Sequence, residues 1–446
     1  MTAEGAQATN PHYLDHVVGA ARSHDIEVAE DIVTGNGIKL LAKGARIDAA
    51  TRERLLQHKL RRPLEDCIQV ADGAISARLE PIGDALLHKH PLLRALCASN
   101  NARAAPASLA ALPLAMPLQS LLTVYAQSQD ERLDHAVGVA MLALSLARRL
   151  LPGEVERHRT LATAGLLHDV GELYIDPAYL HKGTRLRAEQ WRHIVTHPLV
   201  GHRVLRDMTG AGREVADAVL LHHERLDGFG YPRGVRGDEM TLDGEILGVA
   251  EWLMAVVESD STPLRRARMA AQLVPGEFSP AVLEAVSAGA REAPDAAVEL
   301  TAAPPLGETV PRIVRLADTL QRFVDTRDWI DERIAGAAPA LRCVLEAGLQ
   351  RMLRIRASFS STGLDARNTE TLVAELSTLR DPNVYAEITN LVGELEWRMR
   401  ELERSQRLRG SLLPASDDAI IVELIARLKA PPVSPSRPAD SADGAT

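Results

Sequence analysis

Aromatic residues make up only 3% of this 446-residue chain. That scarcity argues against an aromatic-rich β-sandwich, while the abundance of Ala, Leu and Arg favours helices packed through aliphatic side chains. Cysteine is nearly missing: Cys67, Cys97 and Cys343 lie far apart, show no C-x-x-C spacing and cannot all pair, so a disulfide framework is excluded and a reducing compartment is the simplest expectation. No long basic run occurs and the formal net charge is −9. Nothing therefore suggests bulk attraction to duplex nucleic acid or to an anionic membrane. The longest apolar run, around Ala136 to Leu146, falls short of the ~20 residues that a bilayer-spanning helix needs. The first residues lack a basic-then-apolar signal pattern, and the expectation is a cytoplasmic protein.

What the chain does have is 46% apolar residues, ample for the cores of two or three domains. The expected fold is mainly α, with a small N-terminal α+β module, a central helical bundle and a C-terminal helical bundle. Residues 1–25 read as a mobile arm or one short helix. Residues 26–100 carry a hairpin signal, Ile32-Val33 and Ile38-Lys39-Leu40-Leu41 around Thr34-Gly35-Asn36-Gly37, a helix capped by Asp48, and a short strand near Cys67-Val70. Residues 101–117 form an Ala/Pro-rich connector in which Pro106, Pro113 and Pro117 act as breakers. Helical apolar spacing then fills 118–292. A Pro-rich linker is expected at 293–311, a helical region at 312–430 and a disordered tail at 431–446. In the C-terminal region Val384, Ile388, Leu391, Leu395, Met399 and Leu402 recur at alternating steps of three and four, a seam suited to a homodimer or a protein partner.

Nine of the fifteen histidines fall between His135 and His223. Glu131 and His135 are four apart and share a helix face. His168-Asp169 follows Ala164-Gly165-Leu166-Leu167, so an imidazole and a carboxylate end a buried helix, where a cation is the strongest available partner. His197 stands alone, and His222-His223 again sit directly behind an apolar run. Adjacent helical residues point about 100° apart, which lets the two rings serve different ions. The loop Asp227-Gly228-Phe229-Gly230-Tyr231-Pro232 combines permissive glycines, a stiffening proline and an aromatic face, suited to the wall of a site. A second His-Asp pair, His24-Asp25, has no further ligands nearby and reads as chance.

The motifs His168-Asp169-Val170-Gly171, His197-Pro198 and His222-His223-Glu224-Arg225-Leu226-Asp227-Gly228-Phe229-Gly230-Tyr231-Pro232 resemble the HD-GYP branch of the HD superfamily, phosphodiesterases of cyclic di-GMP. The resemblance covers about Leu118 to Ala290. It implies an HD-type helical domain holding two or three divalent ions, Fe or Mn, with Zn as an alternative. The implied metal ligands are Glu131, His135, His168, Asp169, His197, His222, His223 and Glu251. His168 and Asp169 would sit at the catalytic centre, where a metal-bridging hydroxide attacks phosphorus, giving linear pGpG or GMP. Asp227, Gly230, Tyr231, Pro232, Lys182 and Arg265 would meet a cyclic dinucleotide.

Three departures from the family pattern matter. Glu172 stands where the family has a phosphate-contacting Lys, an exchange of attraction for repulsion toward a phosphodiester. Glu251 stands in place of a late Asp ligand. Thr262-Pro263-Leu264-Arg265 keeps one cation of the two in the family's Arg-Pro-Tyr-Lys-like segment. Three readings follow: a cyclic di-GMP phosphodiesterase, a catalytically impaired module that binds nucleotide or protein, and an HD-type phosphohydrolase of another nucleotide.

Overall fold

The computed structural model describes residues 7–71, 75–98, 103–129, 131–181, 186–259, 263–270, 276–292, 306–361 and 382–429. Lys182, residues 293–305 of the expected linker and the tail at 431–446 lie outside these. The chain divides into two compact units, Met1–Ala303 and Pro304–Thr446, and both are built mainly of α-helix. Among the described residues no helix is long and apolar enough to cross a membrane.

The described part of the first unit begins with a short strand, Gln7–Ala8, and a helix, Pro11–Ala20. Asn10 caps it by accepting from the His12 and Tyr13 amides, and Tyr13, Leu14, Val17 and Ala20 are buried, the side-chain oxygen satisfying donors that have no intrahelical partner. Three antiparallel strand pairs surround it in sequence: Ile26–Val28 with Ile68–Val70, Ile32–Val33 with Lys39–Leu41, and Gln7–Ala8 with Lys59–Leu60. Asp48 caps Ala49–Leu56 in a reciprocal arrangement with Thr51. One hydrophobic core then runs from Tyr13 through the sheet residues to Ala290. Tyr13 stacks on Tyr174 at 4.9 Å, and the Val70 amide donates to Ser120 Oγ at 3.1 Å, so the α+β part is packed onto the bundle.

The prolines at 106 and 117 begin helices instead of breaking them. Each lies in the first turn, of Ala105–Ala110 and of Met116–Ser128, where a missing N–H costs nothing and the fixed φ suits the helix. The Arg132–Leu150 helix is the axis of the bundle, with Ala136 through Ala147 buried without interruption. Small residues permit its neighbours to close on it. A Cβ at Gly165 would lie 2.5 Å from Ala140 Cα, and one at Gly138 would lie 2.4 Å from Met254 Sδ. Val155–Leu167 and Leu242–Ser259 therefore pack tightly on this axis, and their polar residues are carried into the interior.

The second unit is helical: Leu306–Asp325, Arg327–Gly336, Pro339–Ser361, Pro382–Gly410 and Ala415–Lys429. Its first helix starts inside the expected linker and contains Pro311. Leu391, Leu395 and Leu402, from the seam expected to serve self-association, are already buried inside this unit.

Candidate metal centre

Local chain geometry explains how three imidazoles are aimed. His168 caps the C-terminus of Val155–Leu167, and His222 caps that of Gly212–Leu221. His197 opens His197–Leu205 directly after the Ala188–Ile194 helix. The last carbonyls of a helix have no partner within it. Each ring fills one such vacancy: His168 Nδ1 meets Gly165 O at 2.8 Å, His197 Nδ1 meets Ile194 O at 2.8 Å, and His222 Nδ1 meets Val219 O at 2.6 Å. A carbonyl can only accept, so Nδ1 carries the proton and the Nε2 lone pair points inward. Metal-ligating histidines are commonly oriented in this way.

Those lone pairs converge. Asp169, His197, His222 and His223 form one group of potential ligands, and His135, His168 and Glu251 form another, the donor atoms in each lying within 4.8 Å of one another. His197 Nε2 and His222 Nε2 face each other at 3.1 Å. Asp169 touches both groups, with Oδ1 3.1 Å from His197 Nε2 and Oδ2 3.2 Å from His168 Nε2. Glu251 Oε2 lies 3.0 Å from His135 Nε2 and 3.3 Å from His168 Nε2. The extra methylene of Glu251 thus reaches both imidazoles. His168 Nε2 and Asp169 Oδ1 are buried without a hydrogen-bond partner of acceptable geometry. Orphaned acceptors facing one another at ligand-to-ligand spacing fit divalent cations with bonds of about 2.0–2.2 Å to N and O donors.

The electrostatics agree. Burial pushes the His222 imidazole down to about 4 and His223 well below its usual range, the neighbouring imidazoles adding to the effect on His223. Burial also works against protonating His168, but Asp169 and Glu251 overcome it and raise that ring to about 10. Desolvation opposes the ionisation of Asp169 and Glu251, yet the facing imidazoles hold both carboxyls well below the usual carboxylate range. The pocket is built for positive charge next to those carboxylates.

Not every expected residue joins the groups. Glu131 is exposed at the start of Arg132–Leu150 and belongs to neither. His222 and His223 fall in the same group, with their ring centroids only 4.1 Å apart. Arg265 is buried in the short Pro263–Arg268 helix. His24 contacts Gln127, and Asp25 pairs with Arg46, remote from this chemistry.

The glycine loop is fixed against the ligands. Asp227 Oδ1 accepts from the Phe229 amide at 3.0 Å, and the Tyr231 amide donates to His223 O at 3.1 Å. A Cβ at Gly230 would lie 2.3 Å from Glu224 Cα and 2.5 Å from His223 O, so only glycine fits. Tyr231 and the cis-linked Pro232 follow, and the Tyr231 ring stands 4.6 Å from the His223 ring.

Three residues that carry this geometry had not been singled out from the sequence. Glu224, fully buried, accepts backbone N–H groups from Arg233, Gly234 and Val235. Glu258 Oε1 lies 2.8 Å from His135 Nδ1; its position seven residues after Glu251, two turns along one helix face, was the available signal. Arg132, buried, pairs with Glu172 at 3.0 Å, donates to Ser128 Oγ and covers the Tyr125 ring. The anion at position 172 is therefore neutralised within the fold.

Residues 113–273 match the family described as HD domain. Over 225 residues the chain is 27% identical to a 3′3′-cGAMP-specific phosphodiesterase of Vibrio cholerae, covering 49% of this chain and 48% of that protein. Over 158 residues it is 33% identical to a cyclic di-GMP phosphodiesterase of Pseudomonas aeruginosa, covering 34% and 37%. Over 176 residues it is 30% identical to a cyclic di-GMP phosphodiesterase of Thermotoga maritima, covering 38% and 47%. The chain thus spans about half, or less, of the length of these relatives.

Proposed function

We propose that this chain, whose residues 113–273 match the HD domain family and which is similar to cyclic dinucleotide phosphodiesterases, is an HD-GYP-type metal-dependent phosphodiesterase of cyclic dinucleotides. The observation that carries this is the inward aim of the His168, His197 and His222 Nε2 lone pairs onto Asp169, with each Nδ1 already committed to a backbone carbonyl. His135, His168 and Glu251 would hold one ion, and Asp169, His197, His222 and His223 another. The donors are nitrogen and oxygen throughout, which suits Fe or Mn and admits Zn. When bound, such ions supply Lewis acidity toward phosphoryl oxygens and a water acidified enough to attack phosphorus.

The chain's own residues do the rest. Asp169 spans the two groups and fixes their separation. Glu258 holds the His135 ring from behind through Nδ1, and backbone carbonyls do the same for His168, His197 and His222. Tyr231 presents a flat aromatic face next to His223, which suits stacking with a nucleobase. Glu224 holds the loop that carries it. Glu172, bound to Arg132, brings no net charge of its own to a phosphate while that pair lasts.

The presence of a carboxylate at 172 favours a second reading, in which metal and nucleotide are held with slow or absent turnover. One experiment separates the two. Protein purified anaerobically with Fe or Mn is incubated in parallel with cyclic di-GMP and 3′3′-cGAMP, and the products are resolved by chromatography. Linear dinucleotide that vanishes in His168→Ala and Asp169→Ala supports the phosphodiesterase. Metal-loaded protein that leaves both substrates intact removes that reading and retains the binding module.

A further inference from the structure

The Arg132–Leu150 and Val155–Leu167 helices carry His135 and His168 toward one end of the pair, and a cavity of about 370 Å³ lies at the other, where the chain turns between them. Thirteen residues separate His135 from Arg148 on the cavity wall, about 20 Å of helix, so the cavity stands apart from the metal ligands. Its apolar walls include the buried Leu112 and Leu144 and the exposed Val155. Its charge has one sign. Arg103, Arg148 and Arg159 line it and no Asp or Glu does, in a chain with 60 acidic residues against 51 basic ones.

Arg159 is already answered by Glu156 at 2.6 Å. Arg103 and Arg148 form no ion pair among the described residues. Arg148 is half-buried, and its Nη1 donates to Arg103 O at 3.0 Å and its Nη2 to Ser108 Oγ at 2.8 Å. Both acceptors are neutral, which leaves three of the five guanidinium N–H donors and the whole charge unmatched. Burial lowers this guanidinium from its ordinary value, with no carboxylate among the groups that counter it. A partly buried cation without a counter-ion is costly until a group of opposite charge meets it.

We propose that this cavity binds a small organic anion, a carboxylate or phosphate on a compact apolar body, with the oxyanion on the Arg148 guanidinium and the body against Leu112, Leu144 and Val155. The planar fork of a guanidinium fits either oxyanion through two parallel hydrogen bonds. The volume lies within the range of small-molecule sites, about 300–1,000 Å³. A neutral alcohol of the same size fills the space without meeting the charge, and a bare anion meets the charge without filling the space.

The test uses full-length protein loaded with Mn and titration calorimetry with octanoate, octyl phosphate, 1-octanol and acetate. Saturable binding of at least one of the two amphiphilic anions is expected, and the tighter of them identifies the oxyanion. 1-Octanol should bind about tenfold to a hundredfold more weakly, the worth of a hydrogen bond to a charged group, and acetate should bind more weakly than octanoate. Oxyanions also ligate metal ions, so variants locate the site. Asp169→Ala should leave the affinity for the anion unchanged, Arg148→Met should reduce it to that of the alcohol, and Arg148→Lys, which keeps the charge without the fork, should fall between. Equal affinity of anion and alcohol for the unsubstituted protein, binding lost in Asp169→Ala but kept in Arg148→Met, or saturable binding of neither anion would each overturn the proposal.

Discussion

The Arg132 guanidinium lies 3.0 Å from the Glu172 carboxylate, with both side chains largely withdrawn from water. Burial raises the Glu172 carboxyl, Asp169 adds to that, and Arg132 counters it. Removing one member strands the other's charge in a poorly solvated site, at a cost of about 2–3 kcal/mol once their residual exposure is allowed for. Glu172→Lys alone should therefore unfold at lower denaturant, because it adds a second cation beside Arg132. Arg132→Met with Glu172→Lys should recover much of that loss and give a fair trial of a lysine at 172. Denaturant melts of the two single variants and the double variant form the cycle, and additive losses would show that the pair is not coupled.

Apart from Asp169, whose carboxylate touches His168 as well as His197, the two ligand groups are made of different residues, so losing a donor from one should empty that one first. His135→Ala removes a donor from the Glu251 side, and His223→Ala removes one from the Asp169 side. Metal analysis of Mn-loaded protein should fall from about two ions per chain to about one in each variant, since a centre missing one of three or four donors loses most of its affinity. Chelation should also lower the melting temperature of the unsubstituted protein, because ions held only by the folded chain stabilise it by mass action. A single substitution that empties both centres would mean one shared site.

Much of this centre was legible in the sequence because its donors stand directly behind apolar helical runs, at His168-Asp169 and His222-His223, and the loop at 227–232 keeps a long contiguous pattern. Pairing across the fold was not legible. Helical spacing joined Glu131 to His135, but Glu131 ends up exposed while Glu251, from a helix far along the chain, meets His135. The Arg132–Glu172 pair is likewise forty residues apart and has no local signature. The prolines at 106 and 117 read as breakers because their position relative to a helix start decides their effect, and that start was set by tertiary packing. The short helix at Pro11–Ala20 was half legible: its Asn-Pro start is visible, but its burial depends on the bundle beneath it.

His16 offers a pH signature remote from the ligands. Burial, with help from the Arg132 charge, lowers its imidazole to about 4, and its Nε2 is buried without a partner. In the unfolded chain an imidazole titrates near 6.5. Between these values the unfolded state binds the proton and the folded state does not, so this residue's contribution to stability falls as pH drops from about 6.5 to about 4. His16→Gln cannot titrate. The melting temperature of the variant should decline less across that window than that of the unsubstituted protein, and parallel curves would refute the assignment.

The Tyr231 wall depends on a carboxylate that touches no ligand atom. Glu224 Oε1 accepts from the Arg233 and Gly234 amides, and Oε2 accepts from Val235 at 3.1 Å. A glutamine has a single acceptor oxygen, so Glu224→Gln must turn an NH2 toward at least one of these amides, leaving a buried donor unsatisfied at a cost of about 1–3 kcal/mol. The loop would relieve that by shifting, and it cannot shift toward Gly230 because the backbone of residues 223–225 already fills that side. Tyr231 would move away from the His223 ring while His168, His197 and His222, held by their own carbonyls, stay in place. The expected result is an unchanged metal content with cyclic dinucleotide hydrolysis down about tenfold to a hundredfold, the scale of an ångström-level displacement, and with KM rising more than kcat falls. Metal loss in step with activity would instead make Glu224 a support of the ligands themselves, and unchanged kinetics would remove Tyr231 from the substrate site.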